Sequence, residues 1–310
     1  MRIALGFDTS NYTSSCAWFD GKHGGNFSRL LPVSEGSLGL RQSDTVFHHV
    51  RQLPALLEEL SIQLPAKSNI CAVGASTTPR RVVGSYMPCF LVGEGAAQQL
   101  CTVNCVPFAA FSHQEGHIAA ALWSAERMDL LTQEHLVWHL SGGTTELLHV
   151  RPDHTGFRAE IVGGSKDISV GQLIDRTGKR LGLVFPSGKA LDALSCDERT
   201  SVLVPRIVMK DSFFSLSGME NKMNRFADEG NSPASVATYV FEIIASVIVA
   251  ATEEIRRQFP DLPLVLSGGV ASNSLLRKRF TNAIYAQPEF STDNAMGIAI
   301  LTHRAFLGGE

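Results

Sequence analysis

The chain has 310 residues, 44% hydrophobic and 18% charged, with mean hydropathy +0.06, which excludes a disordered chain and favours two domains or one large α/β unit. With 27 basic against 30 acidic residues the net charge is −3, so no global basic field holds nucleic acid and any RNA contact needs a local patch. Asp8 interrupts the N-terminal apolar run before it could serve as a signal-peptide core, and the longest uncharged apolar stretch, 243–251, is far short of the ~18 residues of a membrane span, so a cytoplasmic protein with no membrane partner is expected.

Strands are expected at 2–7, 14–19 and 27–31, separated by Thr-Ser-Asn and Asp-Gly turn chemistry. A helix follows at 45–60, where Val46, Val50, Leu53, Leu57 and Leu60 recur at helical spacing around Pro54. Next come a strand at 70–76, a helix at 91–100, a strand at 106–111 and a helix at 113–123. The second half repeats this order: strands at 136–140, 145–150 and 157–163, then helices at 167–181, 189–194 and 235–259. A strand at 262–266, a helix at 272–282, a strand at 283–286 and a helix at 294–306 close the chain. Two meanders, each followed by alternating helices and strands, imply two similar α/β lobes with mixed sheets. The least regular stretch, 195–231, reads as loops and short helices over a cleft. The six cysteines form neither a CxxC pair nor a disulfide scaffold, and Cys101 and Cys105 read as thiols near a helix end.

Three turns suggest an anion or nucleotide cleft between the lobes. Gly6-Phe7-Asp8-Thr9-Ser10 places a carboxylate and two hydroxyls at a hairpin tip. Ser141-Gly142-Gly143-Thr144-Thr145 stands at the equivalent point of the second half, where paired glycines let backbone N–H groups approach an anion. Ser267-Gly268-Gly269 and Asn273 follow a buried strand and open a helix, a position suited to phosphate or nucleoside contacts. This arrangement resembles the actin, Hsp70 and sugar-kinase (ASKHA) superfamily.

His113 and His117 are spaced i,i+4 at a helix start, so one ion can bridge them. Glu115 lies about 200° round the helix from His113 and is misplaced for a metallopeptidase base, whereas Ser112 with Glu115 matches a capping box. If the closing helix returns to the first lobe, Asp293 completes two imidazoles and one carboxylate, a set suited to iron or zinc.

The stretches HQEGH (113–117), SGGTTELL (141–148), DRTGKRLGL (175–183), FPSG (185–188), FSLSG (214–218), SGGVASNSLLR (267–277) and PEFSTDNAMGIA (288–299) resemble the TsaD family. These are tRNA threonylcarbamoyladenosine transferases once catalogued as Gcp O-sialoglycoprotein endopeptidases. The resemblance implies two duplicated actin-like lobes, 1–112 plus 293–310 and 113–292. It implies one transition metal ion, iron or zinc, on His113, His117 and Asp293. It also implies an adenine nucleotide against Ser141, Gly142, Gly143, Thr144, Asp175, Gly188 and Asn273. Asp175 also reads as a helix-surface carboxylate paired with Lys179.

The implied activity is transfer of a threonylcarbamoyl group from threonylcarbamoyl-AMP to N6 of the tRNA adenosine beside the anticodon. The implied ligands are that adenylate or ATP/AMP, and tRNA with partner subunits, among them a paralogous actin-like subunit. Basic clusters at Arg80-Arg81, at Arg176 with Lys179 and Arg180, and at Arg277-Lys278-Arg279 are the local patches available to RNA.

Where family members carry Cys-Asp-Glu after the first strand, this chain has Asn11-Tyr12-Thr13, and Asp8 is the remaining acid there, a candidate for taking the amine proton or for capping the turn. The family's glycine-proline-glycine loop is replaced by residues 78–84, its Gly-Gly-x-x-Pro-Glu stretch by residues 39–44, and the histidine of SGGHT by Thr144. A second reading is therefore a non-catalytic nucleotide- and metal-binding paralogue acting as scaffold or sensor. A third is a small-molecule carbamoyltransferase or kinase of the same superfold.

Overall fold

The computed structural model describes residues 1–32, 40–197 and 203–308; Gly39 and part of the irregular 195–231 stretch lie outside them. The chain divides into two compact units, 1–133 with 151–159 and 289–310, and 134–150 with 160–288.

The first unit opens with the meander β1 (Arg2–Thr9), β2 (Thr13–Phe19) and β3 (Gly24–Leu30), followed by α1 (Gln42–Gln63), β4 (Asn69–Thr78), α2 (Phe90–Asn104), β5 (Phe108–Ser112) and α3 (His113–Ser124). Its sheet runs β3-β2-β1-β4-β5, antiparallel through the meander and parallel at β1-β4-β5. Side-chain alternation sends Ile3, Leu5 and Phe7 into a core with Leu53, Leu56 and Leu60 of α1 and Ala97 and Cys101 of α2. The other face takes the closing helix: a Cβ on Gly6 would overlap the backbone of Ala299. Asp8 shares the parity of Gly6 and so lies on that second face.

The second unit has β6 (His135–Leu140), β7 (Thr145–Asp153), β8 (Gly156–Ser165), α4 (Val170–Arg180), α5 (Gly188–Asp197), β9 (Met209–Lys210), β10 (Phe213–Phe214), α6 (Ser217–Asp228), α7 (Pro233–Arg256), β11 (Leu264–Ser267), α8 (Ser274–Arg279) and β12 (Ile284–Tyr285). Its sheet is β12-β11-β6-β7-β8-β10-β9. From β8 to β12 the order repeats β3-β2-β1-β4-β5, the duplication expected from the two meanders. By length and composition α7 could cross a membrane, yet 72% of its most apolar window is buried, packed with Trp138, Leu140 and Phe214 in the unit's core. Trp138 Nε1 donates to Thr252 Oγ1 of α7 at 2.8 Å, satisfying both buried groups.

The closing helix α9 (Met296–Phe306) belongs to the first unit. So does α3, so the division falls after Gln133 rather than at the expected 112. The cause is a glycine pair: a Cβ on Gly297 would overlap the Gly116 carbonyl, so α3 and α9 cross backbone to backbone. Three expectations shift. α4 starts at Val170 rather than at 167, because Ser169 caps it by accepting from Gln172 N. The helix expected at 272–282 is the single short α8 after a 3-10 turn at Gly269–Ser272. The irregular stretch contains α6, and β9 and β10 pair antiparallel.

Candidate functional site

In the first unit the α3 start is fixed by the expected capping box: Ser112 Oγ accepts from Glu115 N at 3.2 Å and Glu115 accepts from Ser112 N at 2.8 Å. The second Glu115 oxygen accepts from Phe157 N at 3.0 Å, which commits this buried side chain to structure. One helical turn then brings His113 Nε2 and His117 Nε2 to 3.0 Å from each other. The glycine crossing of α3 and α9 delivers the loop before α9, and Asp293 Oδ1 lies 3.5 Å from His113 Nε2 and 3.3 Å from His117 Nε2.

Ligand atoms at ~2.1 Å from one ion in tetrahedral or octahedral geometry are separated by about 3.0–3.4 Å. The triangle of Nε2, Nε2 and Oδ1, with edges of 3.0, 3.3 and 3.5 Å, comes within about 0.1 Å of that demand, and His113, His117 and Asp293 form a group able to hold one ion. Two imidazoles and a carboxylate suit a borderline dication such as iron or zinc.

Asp8 corrects the sequence reading. It lies inside β1 rather than at a hairpin tip, is 1% exposed, and holds His113 Nδ1 at 2.6 Å through Oδ2. That bond fixes a proton on Nδ1 and turns Nε2 toward His117 and Asp293. Asp8 Oδ1 is buried with no hydrogen-bond partner. Asp8 is therefore committed to His113 and is not a solvent-accessible base. Burial disfavours a charged His113 ring, but Asp8 and then Asp293 outweigh it and lift the group to about 10. Burial would raise Asp293, and hydrogen bonds from His113 and His117 instead hold it well below the usual carboxylate range.

The outer oxygen of Asp293, Oδ2, accepts from Ser10 Oγ at 3.1 Å and Thr13 Oγ1 at 3.3 Å. Buried His49 donates from Nε2 to the Ser10 carbonyl at 2.8 Å, and its Nδ1 lies 2.7 Å from Ser14 Oγ. Tyr12, between these hydroxyls in sequence, is 42% exposed.

In the second unit a cavity of about 660 Å³ is lined by Gly142, Asp175, Gly188 and Asn273, four of the residues expected around a nucleotide. That volume is in the range of small-molecule sites. Ser141, Gly143 and Thr144 do not line it; the Ser141 hydroxyl instead accepts from Thr144 N at 3.0 Å and closes the β6–β7 turn. The close approach is made by Gly171, where a Cβ would meet the Gly142 backbone at 2.5 Å, while a Cβ at Gly142 or Gly269 would meet nothing.

Asp175 accepts from Ser187 N at 2.9 Å through Oδ1, which ties α4 to the loop before α5. Asn273 caps α8 through Oδ1, taking Leu275 N and Leu276 N at 3.1 Å. Its amide donates to Asp192 Oδ1 at 2.6 Å. Asn273 thus organises a second lining carboxylate, Asp192, which the sequence reading missed because one acid on an amphipathic helix carries no motif.

A family model described as tRNA N6-adenosine threonylcarbamoyltransferase, TsaD, matches residues 43–300. The chain belongs to the TsaD family. Its relatives include proteins named tRNA N6-adenosine threonylcarbamoyltransferase from Enterococcus faecalis, 30% identical with 77% of this chain and 68% of that one covered. The Listeria monocytogenes relative is 30% identical (85% and 78% covered), and that of Shouchella clausii 31% (84% and 80%). By family the chain is an acyltransferase.

Among solved structures, (R)-2-hydroxyglutaryl-CoA dehydratase component A of Acidaminococcus fermentans matches with TM-score 0.56 at 15% identity, covering 98% of each chain. Full-length HypF matches at 0.62 and 13%, covering 97% of this chain and 55% of that one. A ROK family glucokinase from Streptomyces griseus matches at 0.53 and 14%, covering 97% and 99%. These likenesses show the ASKHA fold.

For a TsaD-family chain the basic clusters are less available than the sequence suggested. Arg81 pairs with Asp153 at 3.1 Å, Arg176 with Glu220 at 2.8 Å and Arg279 with Glu242 at 2.8 Å. Arg180 pairs with Asp228, and Arg277 lies over the Tyr285 ring.

Proposed function

We propose that this TsaD-family chain transfers a threonylcarbamoyl group from threonylcarbamoyl-AMP to N6 of the tRNA adenosine beside the anticodon, releasing AMP, in the cytoplasm. The observation that carries the reading is the donor triangle of His113, His117 and Asp293 in a chain of this family. A bound dication would supply Lewis-acid polarisation of a carbonyl or phosphoryl oxygen. The chain's own residues do the rest. Asp8 holds the His113 tautomer, and Ser10 and Thr13 hold the Asp293 carboxylate. In the second unit, Asp175 and Asp192 offer carboxylate oxygens to ribose hydroxyls, and the open faces of Gly142 and Gly269 leave room for phosphate against the backbone. With net charge −3 and Arg81, Arg176, Arg180 and Arg279 of its basic clusters paired with acids, the chain binds tRNA through partner subunits, a paralogous actin-like subunit among them.

One observation favours the second reading, a nucleotide- and metal-binding scaffold. In the β1–β2 turn the acids of the family pattern are replaced by an exposed Tyr12 and an engaged Thr13, and Asp8 is bound to His113. The deciding experiment supplies purified chain, dication, threonylcarbamoyl-AMP, tRNA and the partner subunits of a family member, and counts modified adenosine by mass spectrometry. Modified nucleoside above the chain-free control supports transfer. Adenylate binding without product assigns the scaffold role.

A further inference from the structure

We propose that Ser10 and Thr13 are positioning residues for the metal centre, acting through their hydroxyls on Asp293; this rests on the metal reading above. Asp293 has two oxygens with separate duties. Oδ1 faces the Nε2 atoms of both histidines, and Oδ2 takes the Ser10 and Thr13 hydroxyls. A carboxylate held at one oxygen presents the other in a fixed direction, as outer hydrogen bonds do for metal ligands in general.

The turn is itself anchored. His49 donates to the Ser10 carbonyl, and at the end of β1 the Thr9 hydroxyl donates to Cys89 O at 2.9 Å and accepts from Gly93 N at 3.0 Å. Thr13 is 5% exposed and Ser10 3%, so neither hydroxyl is a surface group. One short segment therefore buttresses both kinds of ligand, the imidazole through Asp8 and the carboxylate through Ser10 and Thr13.

The test measures Zn²⁺ affinity of the full chain by competition with a chromogenic chelator, alongside melting of the metal-free protein. Thr13→Val should weaken Zn²⁺ about tenfold, within the range for outer ligand partners. Thr13→Ser should stay within about threefold of the parent, with metal-free melting of the Val and Ser variants alike. Parent-like affinity in Thr13→Val overturns the proposal and leaves the metal reading standing. A Thr13→Ser variant as weak as Thr13→Val also overturns it, since packing and not the hydroxyl would then matter. Zn²⁺ binding that is absent, or indifferent to His113→Ala, overturns the metal reading and this proposal with it.

Discussion

The two candidate sites are built on opposite principles. In the first unit every candidate ligand is a side chain, and two of the three are held by partners from other elements: Asp8 on His113, and Ser10 and Thr13 on Asp293. In the second unit the cavity is framed largely by backbone, with glycines at 142, 171, 188 and 269 and two carboxylates, Asp175 and Asp192, tied to neighbouring loops. A side-chain cluster is preorganised and sensitive to single atoms. A backbone-framed cavity is tolerant of polar change and sensitive to added bulk.

The contrast yields graded expectations. The largest is loss of metal: His113→Ala with Asp293→Ala should reduce bound dication from about one per chain to near zero by elemental analysis. Unchanged content would remove the first half of the comparison. Next is bulk in the second unit. An adenine nucleotide at ~100 Kd adds about 2.7 kcal/mol of stability, and Gly142→Leu, which points a side chain into open space at the cavity, should abolish the resulting rise in melting temperature. Gly143→Leu should reduce it less, because Gly143 does not line the cavity. Equal losses in the two variants would put the ligand against the turn itself. Asp192→Asn should raise the nucleotide Kd about tenfold, the scale of one charge-assisted hydrogen bond, with little effect on metal content.

The smallest effect is on pH-dependent stability. Burial holds His49 below its ordinary value, against the opposing Ser10 carbonyl and Asp8. The unfolded chain then takes the proton first, so the His49 contribution is complete above about pH 6.5 and fades as pH falls through the lower folded value. The stability gap between the parent and His49→Gln should narrow from pH 7 to pH 5 in urea titrations. A gap that widens with acid would reverse the sign.

Much of this was legible in local sequence. The meanders showed as apolar segments between turn residues, the α3 start as a Ser-x-x-Glu box, and the histidines as an i,i+4 pair. What stayed hidden depends on contacts between distant segments. The Asp8–His113 bond joins residues 105 apart, and β1 runs through Asp8 where turn chemistry suggested a tip. The α3–α9 crossing rests on Gly116 and Gly297, which as isolated glycines signal weak helix instead. Helix α6 lies in the stretch read only as loops and short helices, and its bounds were not legible because Met219 and Met223 are its only buried residues. Its start is pinned from afar, since Asp167 accepts from Leu216 N at 2.8 Å and from both Ser217 N and Oγ.

An anomalous-difference map from a crystal of the dication-loaded protein locates the ion, and the metal reading gives one peak ~2.0–2.2 Å from Nε2 of His113, Nε2 of His117 and an oxygen of Asp293, with Asp8 still on His113 Nδ1. A peak ligated through His113 Nδ1, or one that leaves Asp293 out, would contradict it.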